Sequence, residues 1–398
     1  MTIFETLRQR GYVNQVSNSE EVKKLLNKQK TTIYQGFDPS ADSLHLGHLA
    51  GIMALHHLHK AGHRIIFLLG GGTGRVGDPT GKNKSRQLLT SEKVHRHGEV
   101  IKKQVEDMEL LDFNKKNVLM LNNNAWLSEF KFLDDFLLDI AKNFSVNEMV
   151  KMDTFSRRLN KEKHLSLLEF CYPVLQAWDY LYLYRNYDCR LQIGGQDQWA
   201  NILQGIDLIR KKENTETQAL TIPLLTTGDG KKMGKTEKGA IWLDPEKTIP
   251  FDFYQYLQGV EDELVEPMLK MLTFLPLEEI EQTLEDPRKA QKKLAFEVTK
   301  IVHGKEKAEK AQLDAEKIFG SKKGKTESVP EFKLAKENMP LDEILTEAGA
   351  LPSKSEVRRR AEQGALRISE KKITDPKKKI EGSCLIRYGK NSFLKVTT

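Results

Sequence analysis

Cysteine is scarce in this chain. Only Cys171, Cys189 and Cys384 occur in 398 residues, odd in number and far apart, so neither a disulfide framework nor a four-cysteine metal site can be built. Long apolar runs are missing as well: the longest, such as Ile65 to Leu69, fall far short of the roughly 20 residues that cross a bilayer as a helix. The opening Met1-Thr2-Ile3-Phe4-Glu5-Thr6-Leu7 has an early acid, with neither a basic leader ahead of a long apolar stretch nor an Arg/Ser-rich transit pattern. These absences give the expectation of a reducing, cytoplasmic setting and no membrane partner. There is no internal repeat.

What is present describes a globular chain. A hydrophobic share of 39% with 8% aromatics excludes a mainly disordered polymer, and the length suits two or three domains. The formal net charge of +7 is local: residues 321–398 hold 18 Lys+Arg against 11 Asp+Glu, which leaves residues 1–320 balanced at 45 each. Two clusters, Arg358-Arg359-Arg360 and Lys377-Lys378-Lys379, read either as solvated surface or as a phosphate-binding tail. Between body and tail, Gly320 to Pro330 is rich in small and charged residues without apolar periodicity, and reads as a flexible linker.

The first half alternates short apolar runs (Thr32 to Phe37, Arg64 to Leu69, Val118 to Leu121, Arg190 to Ile193, Ala219 to Leu224) with helical patterns such as His45 to Lys60. That alternation predicts an α/β fold, a parallel sheet covered by helices. From about Pro250 the pattern turns helical, ending in a long Ala290 to Phe319 stretch. The tail, with two short helices at Leu341 to Ala348 and Lys354 to Glu362 and strand-like Cys384 to Tyr388 and Ser392 to Val396, predicts a small α+β module.

Several segments carry chemistry. After the first main strand comes Gly36-Phe37-Asp38-Pro39-Ser40-Ala41-Asp42-Ser43-Leu44-His45-Leu46-Gly47-His48. Ser43 reads as a helix N-cap that places His45 and His48 on one face of the first turns. Such a helix start with two imidazoles suits nucleotide phosphates; a structural His pair or a metal site are the alternatives, and no third ligand is evident. The second strand enters Gly70-Gly71-Gly72-Thr73-Gly74-Arg75-Val76-Gly77-Asp78-Pro79-Thr80-Gly81-Lys82, which is neither a Walker A loop nor a dinucleotide fingerprint. Asp78 there either holds a cation such as an amino group or caps its turn. Lys82 and Arg86 contact anions or decorate the loop. Tyr172, Gln176 and Asp179 form a polar stripe at i, i+4 and i+7 in apolar surroundings, and buried polar groups need partners that a polar ligand supplies. Gly194-Gly195-Gln196-Asp197-Gln198-Trp199 lets a ligand approach the backbone, with Asp197 placed for ribose hydroxyls. Gly228 to Thr236 is a basic loop.

Together these segments resemble the class I aminoacyl-tRNA synthetases, in which an H-x-G-H motif, here Pro39 with His45-Leu46-Gly47-His48, is followed by a K-M-S-K-S type loop, here Lys232-Met233-Gly234-Lys235-Thr236. More narrowly, Tyr34 with Gly36-Phe37-Asp38-Pro39, Gly77-Asp78-Pro79, the Tyr172/Gln176/Asp179 stripe and Gly194 to Trp199 resemble the bacterial-type tyrosyl-tRNA synthetase family over nearly the whole length. The tail is similar to the RNA-binding domain shared with ribosomal small-subunit protein S-four.

The resemblance implies a Rossmann-like catalytic domain at 1–227 with an insertion at roughly 82–185, and a loop and connector at 228–246. It further implies a helical tRNA anticodon-region domain at 247–320, a linker at 321–340 and an RNA-binding domain at 341–398. It implies that Tyr34 and Asp179 read a substrate phenol, that Asp78, Tyr172 and Gln176 hold its α-ammonium and that Gln198 orients its carboxylate. ATP, accompanied by Mg²⁺, falls to Asp38, Ser40, His45, His48, Gly195 and Asp197, with Lys82, Arg86, Lys232 and Lys235 on the departing pyrophosphate. Lys354, Arg358, Arg359 and Arg360 would bind tRNA(Tyr), and a homodimer would form through the insertion. Ser40 and Gly234 depart from the commoner Thr and Ser of that pattern. The rival readings are a tryptophan-specific relative, a synthetase-derived RNA-binding protein without catalysis and a small-molecule nucleotidyltransferase.

Overall fold

The apolar runs become strands that are buried on both faces, as parallel strands between helical layers must be. A computed structural model describes residues 1–80, 89–226, 233, 235–236, 239–319, 329–336, 338–368, 371–389 and 392–398. Six strands form one sheet: β1 (Gln15–Val16), β2 (Thr32–Phe37), β3 (Arg64–Leu69), β4 (Val118–Asn122), β5 (Cys189–Gly195) and β6 (Gln218–Ile222), in the order β1-β6-β5-β2-β3-β4. All neighbours are parallel except the short edge pair β1–β6. Strand order therefore reverses between β2 and β5. In open α/β sheets the crevice beyond the carboxyl ends of the strands at such a switch point is where ligands bind.

Helix α1 (Leu46–Lys60) follows β2 and is apolar nearly all round, burying Leu46, Leu49, Ile52, Met53, Leu55 and Leu58, as a helix enclosed by the fold requires. Helices α2 (Ser91–Asp107), α3 (Tyr172–Tyr187) and α4 (Trp199–Glu213) complete the layers. Pro173 lies in the first turn of α3, where its missing N–H costs nothing. Asp188 and Asn214 end α3 and α4 in left-handed conformation, φ 49° and 50°, the use to which short polar side chains are best suited. Residues 132–140 wind with i→i+5 bonding, Phe136 N–H reaching the Lys131 carbonyl at 3.1 Å.

Contacts divide the chain into two units, Met1–Asp244 with Glu266–Gln282, and Pro245–Val265 with Thr283–Thr398. Within the first, the Arg10 guanidinium donates to the Lys270, Thr273 and Leu275 carbonyls at 2.7–3.0 Å. Within the second, the expected long helical stretch is two helices, α5 (Pro287–His303) and α6 (Lys305–Phe319), broken at Gly304 with φ 88°, a value that favours glycine. The α+β reading of the tail holds, with helices α7 (Leu341–Glu347) and α8 (Lys354–Glu362). The stretch 321–340, expected to be a linker, is ordered structure in part. Glu331–Lys333 pairs in parallel with Phe393–Thr397, and Met339–Pro340 pairs with Lys379–Ile380. Those segments are too short to stand out by periodicity and are held by partners about 40–60 residues away in sequence.

Candidate active site

A cavity of about 320 Å³ opens at the switch point between β2 and β5. Its lining includes Tyr34, Asp38, Ser40, His45, Gly47, His48, Asp78, Tyr172, Gln176, Asp179, Gly195, Asp197, Gln198 and Met233. Segments that stand nearly 200 residues apart in sequence thus converge on one pocket.

At its inner end Asp179 is 3% exposed and accepts two hydrogen bonds at 2.8 Å, to Oδ2 from Asn123 Nδ2 and to Oδ1 from Trp126 Nε1. Burial pushes its carboxyl up to about 7; the two donors oppose the rise, and the neighbouring Asp38 adds to it. Tyr34 is 1% exposed, and its hydroxyl is buried without a partner. Burial first, and the nearby Asp179 charge second, hold that phenol well above its ordinary pKa, so it stays protonated and able to donate. Gln35 Oε1 and Gln192 Oε1 are also buried without partners on residues lining the cavity. Buried polar atoms are almost always paired, so three orphans around one cavity mark a place shaped for a polar ligand.

Midway, the expected ligand-binding groups bond to one another. Tyr172 Oη donates to Asp38 Oδ2 at 2.8 Å, and Thr73 Oγ1 donates to Asp38 Oδ1 at 2.9 Å. Gln198 Nε2 donates to Asp78 Oδ2 at 2.7 Å, while Asp78 Oδ1 accepts from Thr80 N–H at 2.9 Å. Asp78 therefore does cap its own turn, and with its other oxygen it faces the pocket partner Gln198. Asn201 Nδ2 lies 3.3 Å from both Gln176 Oε1 and Gln198 Oε1. Pairing fixes these side chains in place before any ligand arrives.

At the outer end the helix start differs from the sequence reading in one respect. His45, not Ser43, is the N-cap of α1. Ser43 Oγ turns inward to the Leu44 carbonyl at 2.7 Å, a local bond that competes with capping. His45 Nδ1 accepts the Gly47 N–H at 3.1 Å, and His48 Nδ1 accepts the His45 N–H at 3.1 Å. The two rings stack with centroids 3.8 Å apart. Because both Nδ1 atoms accept, the neutral rings carry their protons on Nε2. Gly47 keeps the His45 ring uncrowded, since a Cβ would lie 3.0 Å from His45 Cε1 and the ring would have to give way. Leu44 and Leu46 pair with Leu243 and Ile241 through backbone bonds of 2.9 Å.

Among the remaining expected residues, Lys82, Arg86, Lys232 and Gly234 lie outside the described residues. Lys235 and Thr236 are described as backbone only, a short strand paired with Gly239–Ala240.

Residues 26–320 match the family model for class I tRNA synthetases of the tryptophan and tyrosine type, and residues 322–394 match the C-terminal domain of tyrosine–tRNA ligases. The tyrosine–tRNA ligase of Caldanaerobacter subterraneus subsp. tengcongensis is 46% identical over 405 residues, covering 99% of this chain and 98% of its own. That of Clostridium botulinum is 44% identical over 408 residues, covering 100% and 99%. A C-terminally truncated mitochondrial tyrosyl-tRNA synthetase from Aspergillus nidulans superposes with a TM-score of 0.71 at 31% identity, over 80% of this chain and 94% of its own. The chain belongs to the class I tyrosyl-tRNA synthetase family.

Membership in that family leaves individual residues to be read from the geometry. Asn123, Trp126 and Asn201 do not stand out in the sequence, and Thr73 does so only as part of its Gly-rich segment, with no role of its own. Trp126 and Asn123 act on Asp179 from 53 and 56 residues away, and the available signal was the polar run Asn122-Asn123-Asn124 at the carboxyl end of an apolar strand. In the second unit, the expected tRNA-binding cations are partly engaged. Lys354 pairs with Glu343 at 3.0 Å, Arg359 and Arg360 with Glu356 at 2.8 and 2.9 Å, and Arg360 also donates to the Tyr388 carbonyl at 3.0 Å. Arg358 is exposed. Arg360 thus ties α8 to the following sheet, while its neighbours are rim groups.

Proposed function

We infer that this chain activates L-tyrosine with ATP, giving tyrosyl-adenylate and pyrophosphate, and then transfers the tyrosyl group to the 3′ end of tRNA(Tyr). The observation that carries the reading is the unpartnered Tyr34 hydroxyl beside Asp179 at the buried end of the pocket. A substrate phenol there accepts from Tyr34 and donates to Asp179. A phenylalanine side chain leaves the Tyr34 hydroxyl unpaired and gives Asp179 nothing beyond its Asn123 and Trp126 bonds, so it loses both contacts that the substrate phenol makes.

Asp78, Tyr172 and Gln176 then surround the α-ammonium, with Gln198 at the carboxylate. That carboxylate is ionised at neutral pH, so its attack on the α-phosphorus requires no general base. Catalysis rests on positioning and on stabilising the pentacoordinate phosphate and departing charge. The Nε2–H ends of His45 and His48 and the Ser40 hydroxyl are donors for the nucleotide, Asp38 and Asp197 are acceptors, and Gly195 lets it approach the backbone; the Leu46, Gly47 and His48 N–H groups at the start of α1 are already bonded within the protein. Lys82, Arg86, Lys232 and Lys235 take the pyrophosphate charge. Mg²⁺ arrives with ATP as its charge partner.

The domain division expected from the sequence, with a catalytic body at 1–227, a helical domain at 247–320 and an RNA-binding tail at 341–398, suits this chemistry. So does action in the cytoplasm, where three free cysteines stay reduced. A homodimer through the insertion is supported by exposed apolar side chains. Of the twelve large hydrophobics exposed among the described residues, eight lie within residues 132–168, Phe132 at 71% and Leu167 at 76% among them, and such clustering marks association surfaces.

ATP–pyrophosphate exchange with tyrosine, tryptophan or no amino acid, followed by addition of tRNA, tests the assignment. Exchange that depends on tyrosine alone and charging of tRNA are expected; tryptophan-dependent exchange overturns it.

A further inference from the structure

The loop from Asp38 to His45 connects β2 to α1 and carries Ser40 and His45 into the pocket. Its path is set from outside. His97 Nδ1 on α2 donates to the Pro39 carbonyl at 2.9 Å. Seven residues along, on the same face of that helix, Gln104 uses both ends of its amide. Oε1 accepts the Leu44 N–H at 2.9 Å, and Nε2 donates to Ser43 Oγ at 3.0 Å. Helix α2 is itself seated against the end of β3 at Gly98, where a Cβ would fall 2.4 Å from Leu69 Cδ2.

Two points on one rigid helix therefore grip both ends of a short loop. The grip lies downstream of Asp38, which Thr73 and Tyr172 hold separately. Neither His97 nor Gln104 lines the cavity. We propose that His97 and Gln104 are positioning residues for ATP, fixing Pro39 to Leu44 and thereby the placement of Ser40 and His45. This rests on the reading that the nucleotide lies against those residues.

Gln104→Met in the full chain removes both amide bonds at nearly constant volume. Because misplacing a reacting group by about 1 Å can cost up to about a hundredfold in rate, kcat/KM for ATP in tyrosine-dependent exchange is expected to fall about tenfold or more. The tyrosine Kd, measured by equilibrium dialysis, is expected to stay within about twofold, because Tyr34, Asn123, Trp126 and Asp179 are anchored elsewhere. His97→Ala should act in the same sense, and His97→Asn, whose amide N–H can replace the Nδ1 donor, should recover most of the loss. An unchanged kcat/KM for ATP in Gln104→Met, a tyrosine Kd that weakens in step with ATP, or a His97→Asn variant no better than His97→Ala would each overturn the proposal. His45→Asn in the same assay separates the two readings. A normal ATP response there refutes the nucleotide placement itself, whereas a loss there with an intact Gln104→Met response refutes the clamp alone.

Discussion

Where β2, β4 and α3 meet, the pocket is built from buried groups that are bonded to the protein before substrate arrives: Asp179 to Asn123 and Trp126, Tyr172 to Asp38. Where β2 gives way to α1, by contrast, Ser40 and Gly47 are exposed and His45 and His48 are half-buried. The first end is a mould whose one prominent unpaired hydroxyl is on Tyr34. The second is a more open arrangement of polar groups, which the proposed function assigns to the phosphates of ATP. Recognition of a small difference between amino acids needs the former, because discrimination comes from leaving buried groups unpaired. Phosphoryl chemistry needs the latter, because the charge it must stabilise moves during the reaction.

Asp179→Ala attacks the mould and should have the largest effect, a fall in kcat/KM for tyrosine on the order of a thousandfold or more, since it strands two buried donors and the substrate phenol together. Near-normal tyrosine-dependent exchange would remove this residue from the site. Lys235→Ala tests the role that the proposed function gives this residue on the nucleotide side. Adenylate formation measured before the steady state should slow about a hundredfold, with tyrosine affinity little changed; an equal loss in both would erase the division between the ends.

The pH dependence is the third test. With the Asp179 carboxyl at about 7 in the free protein, the ionised acceptor is lost as pH falls, so kcat/KM for tyrosine should drop about tenfold per unit below that point. Tyr34, Asp38 and Tyr172 also surround this carboxyl, and the two phenols stay protonated throughout. The same shift acts on stability in the opposite sense. A carboxyl whose folded pKa is raised from 3.8 to about 7 favours the fold fully below the lower value, and that contribution is lost as pH rises to the upper one. A flat profile would show that Asp179 is ionised well below neutrality.

Tyr34→Phe should give the smallest effect and the most diagnostic one. Removing a hydroxyl that makes no hydrogen bond to another protein group should leave stability unchanged or raise it by about 1 kcal/mol, read as a higher Tm, while tyrosine binding weakens. A lower Tm would mean that the hydroxyl is already satisfied, and the mould would lose its defining gap.

Strand positions, the helix start at His45 and the Tyr172/Gln176/Asp179 stripe were legible in the sequence because their signals are local: short continuous apolar runs for strands buried on both faces, and a period of 3.6 for a helix face. Asn123 and Trp126 were not, since their meaning arises only when β4 is laid beside β3 and its following turn is brought to α3. Ser43 was misread as a cap for the opposite reason. Its local signal is genuine, but Gln104, 61 residues on, takes the hydroxyl and leaves the cap to His45. Strands such as Glu331–Lys333 escaped because three residues carry no period at all.

The double use of His45 reaches into how such a protein can change over time. One imidazole caps a helix with Nδ1 and also lines the pocket, so a replacement there changes the fold and the site together. Replacing it with a residue that cannot cap costs about 0.5–2 kcal/mol of stability, whatever happens to catalysis. A designer who wants to retune the chemistry must first supply another acceptor for the Gly47 amide, and asparagine is the obvious substitute.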